Sequence, residues 1–161
     1  FNDSSNIHEA AYSNNKWYVF RTDVGGNNVA EKVGVASSAS SGSWTDSADL
    51  NVGDAARAMF ASVSTGSASE STVIVVNSND AARSVDSGAN FTKLNNVLPH
   101  GDARSVTSDG SGNWVVSHDD GRMSFSNDDG ETWSSGTSST ITFGSGTEDI
   151  DAVAVNKILP L

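Results

Sequence analysis

The chain has 161 residues and no cysteine, so it can bury one domain-sized core but can build neither a disulfide framework nor a thiolate metal site. Nine basic against twenty acidic residues leave a net charge of −11, which argues against nucleic acid and anionic membranes as partners. No apolar run approaches the length of a membrane-spanning helix, so membrane insertion is not expected.

Ser, Gly, Asn, Asp and Thr dominate, a mix shared with unfolded chains. Apolar β-formers nevertheless recur in short clusters between the polar runs, and no segment keeps a helical period. The first cluster, Trp17-Tyr18-Val19-Phe20, predicts a strand over 17–21, followed by another over 29–35. The connection between them, Val24-Gly25-Gly26-Asn27-Asn28, reads as a long one. Thr72-Val73-Ile74-Val75-Val76 predicts a strand covered on both faces, because its apolar positions are successive rather than alternating. Further strands are predicted over 103–108, 113–118, 122–126 and from Thr132 onward. Asp119-Asp120-Gly121 and Asp128-Asp129-Gly130 would turn them into a tight meander, since Asp tolerates turns and Gly accepts positive φ. Asp151-Ala152-Val153-Ala154-Val155 reads like the first strand of one more group. The expected fold class is all-β.

These strands fall into repeats. Gly53-Asp54-Ala55-Ala56-Arg57 is echoed by Gly101-Asp102-Ala103-Arg104, each opening a strand of small residues. Each group ends in a Ser-rich hairpin whose glycine stands at 42, 88 or 130, spacings of 46 and 42 residues. A single repeat domain over 1–161 is expected, with units of roughly 6–52, 53–100 and 101–150 and the start of another at 151–161. The best-kept hairpin is Ser126-Asn127-Asp128-Asp129-Gly130-Glu131-Thr132-Trp133. Its Asp128 can accept bonds from the turn's own amides, Ser126 and Thr132 supply flanking hydroxyls, and Trp133 can plate the tip. The middle copy keeps Ser84, Asp86, Gly88 and the aromatic Phe91, with Asn90 in place of Thr132. The copy at Ser38-Ala39-Ser40-Ser41-Gly42-Ser43-Trp44-Thr45 has lost its Asp.

The pattern S-x-D-x-G-x-T-W resembles the Asp-box, the bacterial neuraminidase repeat of β-propellers. That resemblance implies four-stranded antiparallel blades, of which about three are present, whereas propellers typically carry about 4–8. The ring would be partial, or closed by oligomerisation or by missing sequence, because an open end exposes sheet faces and edges.

The resemblance also brings sialidases to mind, which clamp a carboxylate with three arginines and use a glutamate-activated tyrosine and an aspartate acid/base. Arg57 and Arg104 occupy equivalent places on first strands and are candidate axial charges, with Glu9 and Asp151 as their counterparts in the other units. Three clamp arginines cannot be assigned among Arg21, Arg57, Arg83, Arg104 and Arg122, and of the two tyrosines, Tyr12 and Tyr18, the latter lies in an apolar run. No catalytic residue is assigned. Asp109-Gly110-Ser111-Gly112-Asn113 lacks the later ligands of a calcium loop, and His8, His100 and His118 share no ligand spacing, so no metal or cofactor is expected. Trp17, Trp44 and Trp114 are nominal platforms for a glycan, each more readily read as core or cap. The expected role is a non-catalytic structural or recognition module of an extracellular or virion surface assembly of tail, fibre or decoration type. It would self-associate or contact protein, with glycan as a further ligand class. The alternatives are a fragment of a sialidase-like glycoside hydrolase and an assembly factor holding a protein partner.

Overall fold

The computed structural model describes residues 5–25, 28–38, 40, 43–52, 58–135, 142–143, 146–147 and 150–154. Strands β1 (Ser5–Ser13), β2 (Lys16–Gly25), β3 (Asn28–Ala36) and β4 (Thr45–Asp46) form the first antiparallel sheet in chain order. The second sheet contains β5 (Ala58–Val63), β6 (Ser71–Asn77), β7 (Asp80–Ser84) and β8 (Thr92–Leu94), again in chain order. β9 (Ala103–Ser108), β10 (Trp114–His118) and β11 (Met123–Ser126) make the third, and β12 (Thr142–Phe143) pairs with β13 (Gly146–Thr147). The all-β reading holds among the described residues, whose one helical element is a 3-10 turn at Asp119–Gly121.

Local departures from the expected pattern have simple causes. The β2–β3 connection is not long: pairing continues through Val24↔Val29 to Gly25↔Asn28, so the extra residues lengthen the strands. The fourth strand expected from Thr132 onward is reduced, among the described residues, to a single bridge between Phe125 and Ser134. That bridge exchanges both backbone bonds at 2.8 Å, the unit from which a ladder would extend.

The three sheets stack in chain order, and β6 shows why its sequence is an unbroken apolar run. All seven of its residues are buried. Val73 and Val75 face the first sheet and join Tyr18, Phe20, Val33, Met59 and Ala61 in one core. Ile74 and Val76 face the third and join Ala103, Val106, Trp114 and Val116 in another. Each fully buried Val or Ile contributes about 1.5–3 kcal/mol relative to exposure, so the middle sheet is the one the stack most depends on.

First strands lie beside first strands, β1 against β5 and β5 against β9. Between β1 and β5, the Glu9 carboxylate accepts the Met59 amide at 2.7 Å. Burial raises the Glu9 carboxyl above its usual value of 4.5, against the opposing pull of that amide. A raised folded pKa means the protonated form is favoured on folding, so this contribution is present at acid pH and lost as pH rises. Glu9→Gln, which keeps an acceptor for Met59, is expected to raise stability at pH 7 and to give no gain well below pH 4.5. Urea unfolding at both pH values measures this, and an equal effect at the two would contradict it.

Candidate functional site

The two well-kept hairpin loops have matching hydrogen bonds. In the third sheet, the Ser126 hydroxyl donates to Asp128 Oδ1 at 2.8 Å and accepts the Gly130 amide at 2.9 Å. Asp128 Oδ1 also accepts the Glu131 and Thr132 amides at 3.1 and 2.9 Å, while the Thr132 hydroxyl donates to Oδ2. In the second sheet, the Ser84 hydroxyl donates to Asp86 at 2.7 Å and accepts the Gly88 amide at 2.9 Å. The Asn90 amide and side chain reach Asp86 at 2.9 and 2.8 Å, so Asn90 does the work of Thr132. Trp133 donates its indole N–H to the Gly130 carbonyl at 3.1 Å and packs on the second core. Phe91 packs on the first. The loop at 38–45 falls partly outside the described residues.

Slight desolvation pushes the Asp128 carboxyl up, but the Thr132 hydroxyl and amide, the Ser126 hydroxyl and the Glu131 amide outweigh it and lower the pKa from 3.8 to about 2. Asp86 is lowered for the same reasons. With folded pKa values below the unfolded ones, the unfolded chain binds more protons in acid. The stabilisation from Asp128 is thus complete above about pH 4 and lost as pH falls toward 2. Asp128→Ala is expected to cost about 1–2 kcal/mol at pH 7, toward the lower end because solvent reaches the carboxylate. The deficit should shrink toward pH 2 in thermal unfolding, and any binding activity should survive in the folded fraction.

The neighbouring Asp129 was expected only to turn the chain, and it does much more. At 4% exposure and a φ of 61°, it points back between the sheets. Its Oδ2 accepts the Thr72 hydroxyl at 2.7 Å, the Thr65 amide and hydroxyl at 3.1 and 3.2 Å, and the Ser64 hydroxyl at 3.4 Å. Its Oδ1 accepts the Trp114 indole at 3.1 Å. Burial would raise this carboxyl, but the Thr72, Trp114 and Thr65 bonds lower it, so it stays ionised. The Arg83 Nε also donates to the Asp129 carbonyl at 2.9 Å. Ser87 fills the same loop position in the second sheet, where its hydroxyl accepts the Ser71 amide at 3.0 Å. The signal available in sequence was a carboxylate at the position just before the loop glycine, where the other copy has a serine: Asp129 against Ser87.

Among the remaining candidates, His100 and His118 meet edge to face, with ring centroids 5.5 Å apart. Arg104 pairs with Asp119 of its own sheet, with Nη2 at 2.8 Å from Oδ2, and Arg57 lies outside the described residues. Arg21 is buried and pairs with Asp46 at 2.6 Å. Trp114 is only 1% exposed, so it presents no face to a sugar and is removed as a glycan platform. Trp17 stacks at a tilt on Tyr12, ring centroids 5.0 Å apart. The Asp109 carboxylate is taken up by its own turn, accepting the Ser111 amide at 2.7 Å and the Asn113 side chain at 2.7 Å. His118 is fully buried, its Nδ1 donating to the Gly101 carbonyl at 2.8 Å and its Nε2 2.7 Å from the Ser124 hydroxyl. His8 stands apart on Thr22. Among the described residues no three His, Asp or Glu side chains are grouped to hold a metal ion, and no helix is long and apolar enough to cross a membrane.

Compared with known proteins, the chain matches no family model and no curated sequence.

Proposed function

We propose that the chain is a non-catalytic structural or recognition module, built from propeller-type blades with Asp-box loops, in an extracellular or virion surface assembly. The observation that carries this reading is how the polar groups are spent. Asp86, Asp128 and Asp129 hold loops and sheets together. Arg21, Arg83 and Arg104 are each bound to the chain's own carboxylates or carbonyls, which is poor equipment for clamping a substrate carboxylate. Tyr18 is 0% exposed between two sheets, out of reach of a glycoside. Composition supports the setting: an acidic, cysteine-free chain rich in Ser, Gly and Asn suits surface β-repeats.

Protein contact is favoured at the end of the stack where first strands turn into second strands. The Ser71 hydroxyl donates to Ser13 there, and the Ser87 amide donates to the Ser71 carbonyl. Around this junction stand Tyr12, Val63 and Val85, at 55%, 40% and 41% exposure, whose apolar surface gains from being covered. Turnover of a fluorogenic sialoside by the protein would overturn the reading. Retention on a glycan array without turnover would make glycan the ligand instead, and the mass of the native particle reports self-association.

A further inference from the structure

Strand pairing aligns one row of residues across all three sheets. The rows are Tyr18–Val35–Thr45, Ile74–Arg83–Thr92 and Val115–Phe125–Ser134. Each of the first two rows is the seat of the next sheet's loop. On the first row, a Cβ at Gly88 would lie 3.0 Å from Val35 and 3.7 Å from Tyr18. On the second, a Cβ at Gly130 would lie 2.1 Å from Ile74, and Arg83 bonds the Asp129 carbonyl. The third row faces away from the second sheet, because Trp114 and Val116, on the opposite side of β10, are the residues packed in that core. There, Asn113, Val115, Phe125, Asn127, Trp133 and Ser134 line an open hollow of about 380 Å³.

A second alignment points the same way. Glu9, which pairs with Phe20 two residues beyond Tyr18, accepts the amide of Met59 on the next first strand. Ser105, which pairs with Ser117 two residues beyond Val115, accepts the Val153 amide at 3.3 Å. Ser117 also donates to the Ile150 carbonyl at 2.7 Å. Residues 150–154 therefore take the place on the third sheet that a following first strand takes on the sheet before it.

We propose that the hollow on Val115 and Phe125 is the seat of a fourth sheet's loop, a Ser-x-Asp-x-Gly hairpin tip with glycine at positive φ, and that 150–154 is the first strand of that sheet. The occupant needs a glycine because the two filled seats leave no room for a side chain at that point. Just before the glycine it carries a polar residue, as Ser87 and Asp129 are; Asp129 meets Thr72 of the preceding sheet, and Asn113 stands at the place of Thr72 on the third. This inference rests on the stacking alone and is independent of the role proposed for the surface.

The test titrates the full chain, followed by amide NMR, with a cyclised peptide of the ten residues 125–134. Saturable shifts confined to Asn113, Val115, Phe125, Asn127 and Ser134 are expected. A peptide carrying Gly130→Ala should bind about tenfold or more weakly, and Val115→Glu in the protein, with its other resonances unmoved, should abolish the shifts. Absence of shifts, shifts elsewhere, or equal binding of the alanine peptide would overturn the proposal. A concentration-dependent dimer that protects Val115 from exchange would overturn it in favour of a second copy as the occupant.

Discussion

Asp129→Ala is expected to lower stability by about 3 kcal/mol, because a buried carboxylate is removed and several buried donors lose their acceptor together. Five donor groups converge on it: Thr72, Ser64 and Trp114 side chains, and the Thr65 amide and hydroxyl. The bonds are not additive, since the exposed Thr65 hydroxyl can turn to solvent whereas Ser64 at 6% and Trp114 at 1% exposure cannot. For a chain of this size the loss corresponds to a fall in Tm of roughly 6–12 °C. Asp129→Asn should lose less, because it keeps an acceptor and tolerates the left-handed backbone at a φ of 61°. Its Nδ2 would still meet donors, so full recovery is not expected. Thermal unfolding of the two variants and of Asp128→Ala ranks them. A smaller loss at Asp129 than at Asp128 would mean that the inter-sheet carboxylate does not bind the second sheet to the third.

Gly130→Ala is expected to cost about 2–4 kcal/mol, combining the left-handed penalty for a Cβ with overpacking. The backbone sits at a φ of 83°, and the new methyl would lie 2.1 Å from Ile74 Cδ1, itself fully buried and hemmed in by the second core. Gly88→Ala should cost less, since its closest contact, Val35 Cγ2, is 3.0 Å away at a φ of 81°. Ile74→Val removes the obstructing methyl at a cost of about 0.5–1.5 kcal/mol on its own. The double variant Gly130→Ala, Ile74→Val should therefore be more stable than the sum of its parts, with the backbone penalty remaining. Denaturant midpoints of the four proteins in that cycle give the coupling. Strict additivity would show that the loop does not press on Ile74.

What could be read without coordinates was whatever closes over a few residues. The bonds inside the two loops run between positions two to four apart, from Ser126 to Asp128 and from Thr132 back to Asp128. The strand centres at Trp17–Phe20, Val73–Val76 and Trp114–Val116 were legible for the same reason: apolar β-formers between turn residues need no distant partner to be recognised. The unbroken run in β6 even carried the information that both of its faces are covered.

The rest depends on partners far along the chain. Asp128 and Asp129 are chemically identical neighbours, and one faces solvent while the other reaches Thr72, 57 residues away. Only the left-handed turn at Asp129 and the arrival of the second sheet separate their roles. Arg104 was read from an echo in the chain as a charge for an axis, and in three dimensions it meets Asp119 across its own sheet. Trp114 sat in the sequence as one of four tryptophans and is sealed by the stacking of sheet on sheet. Composition, periodicity and turn chemistry by themselves determined an all-β chain with self-capped loops. Which carboxylate binds sheet to sheet, and which face of the third sheet is left open, were decided by tertiary packing, because both depend on what lies across a gap that no local pattern spans.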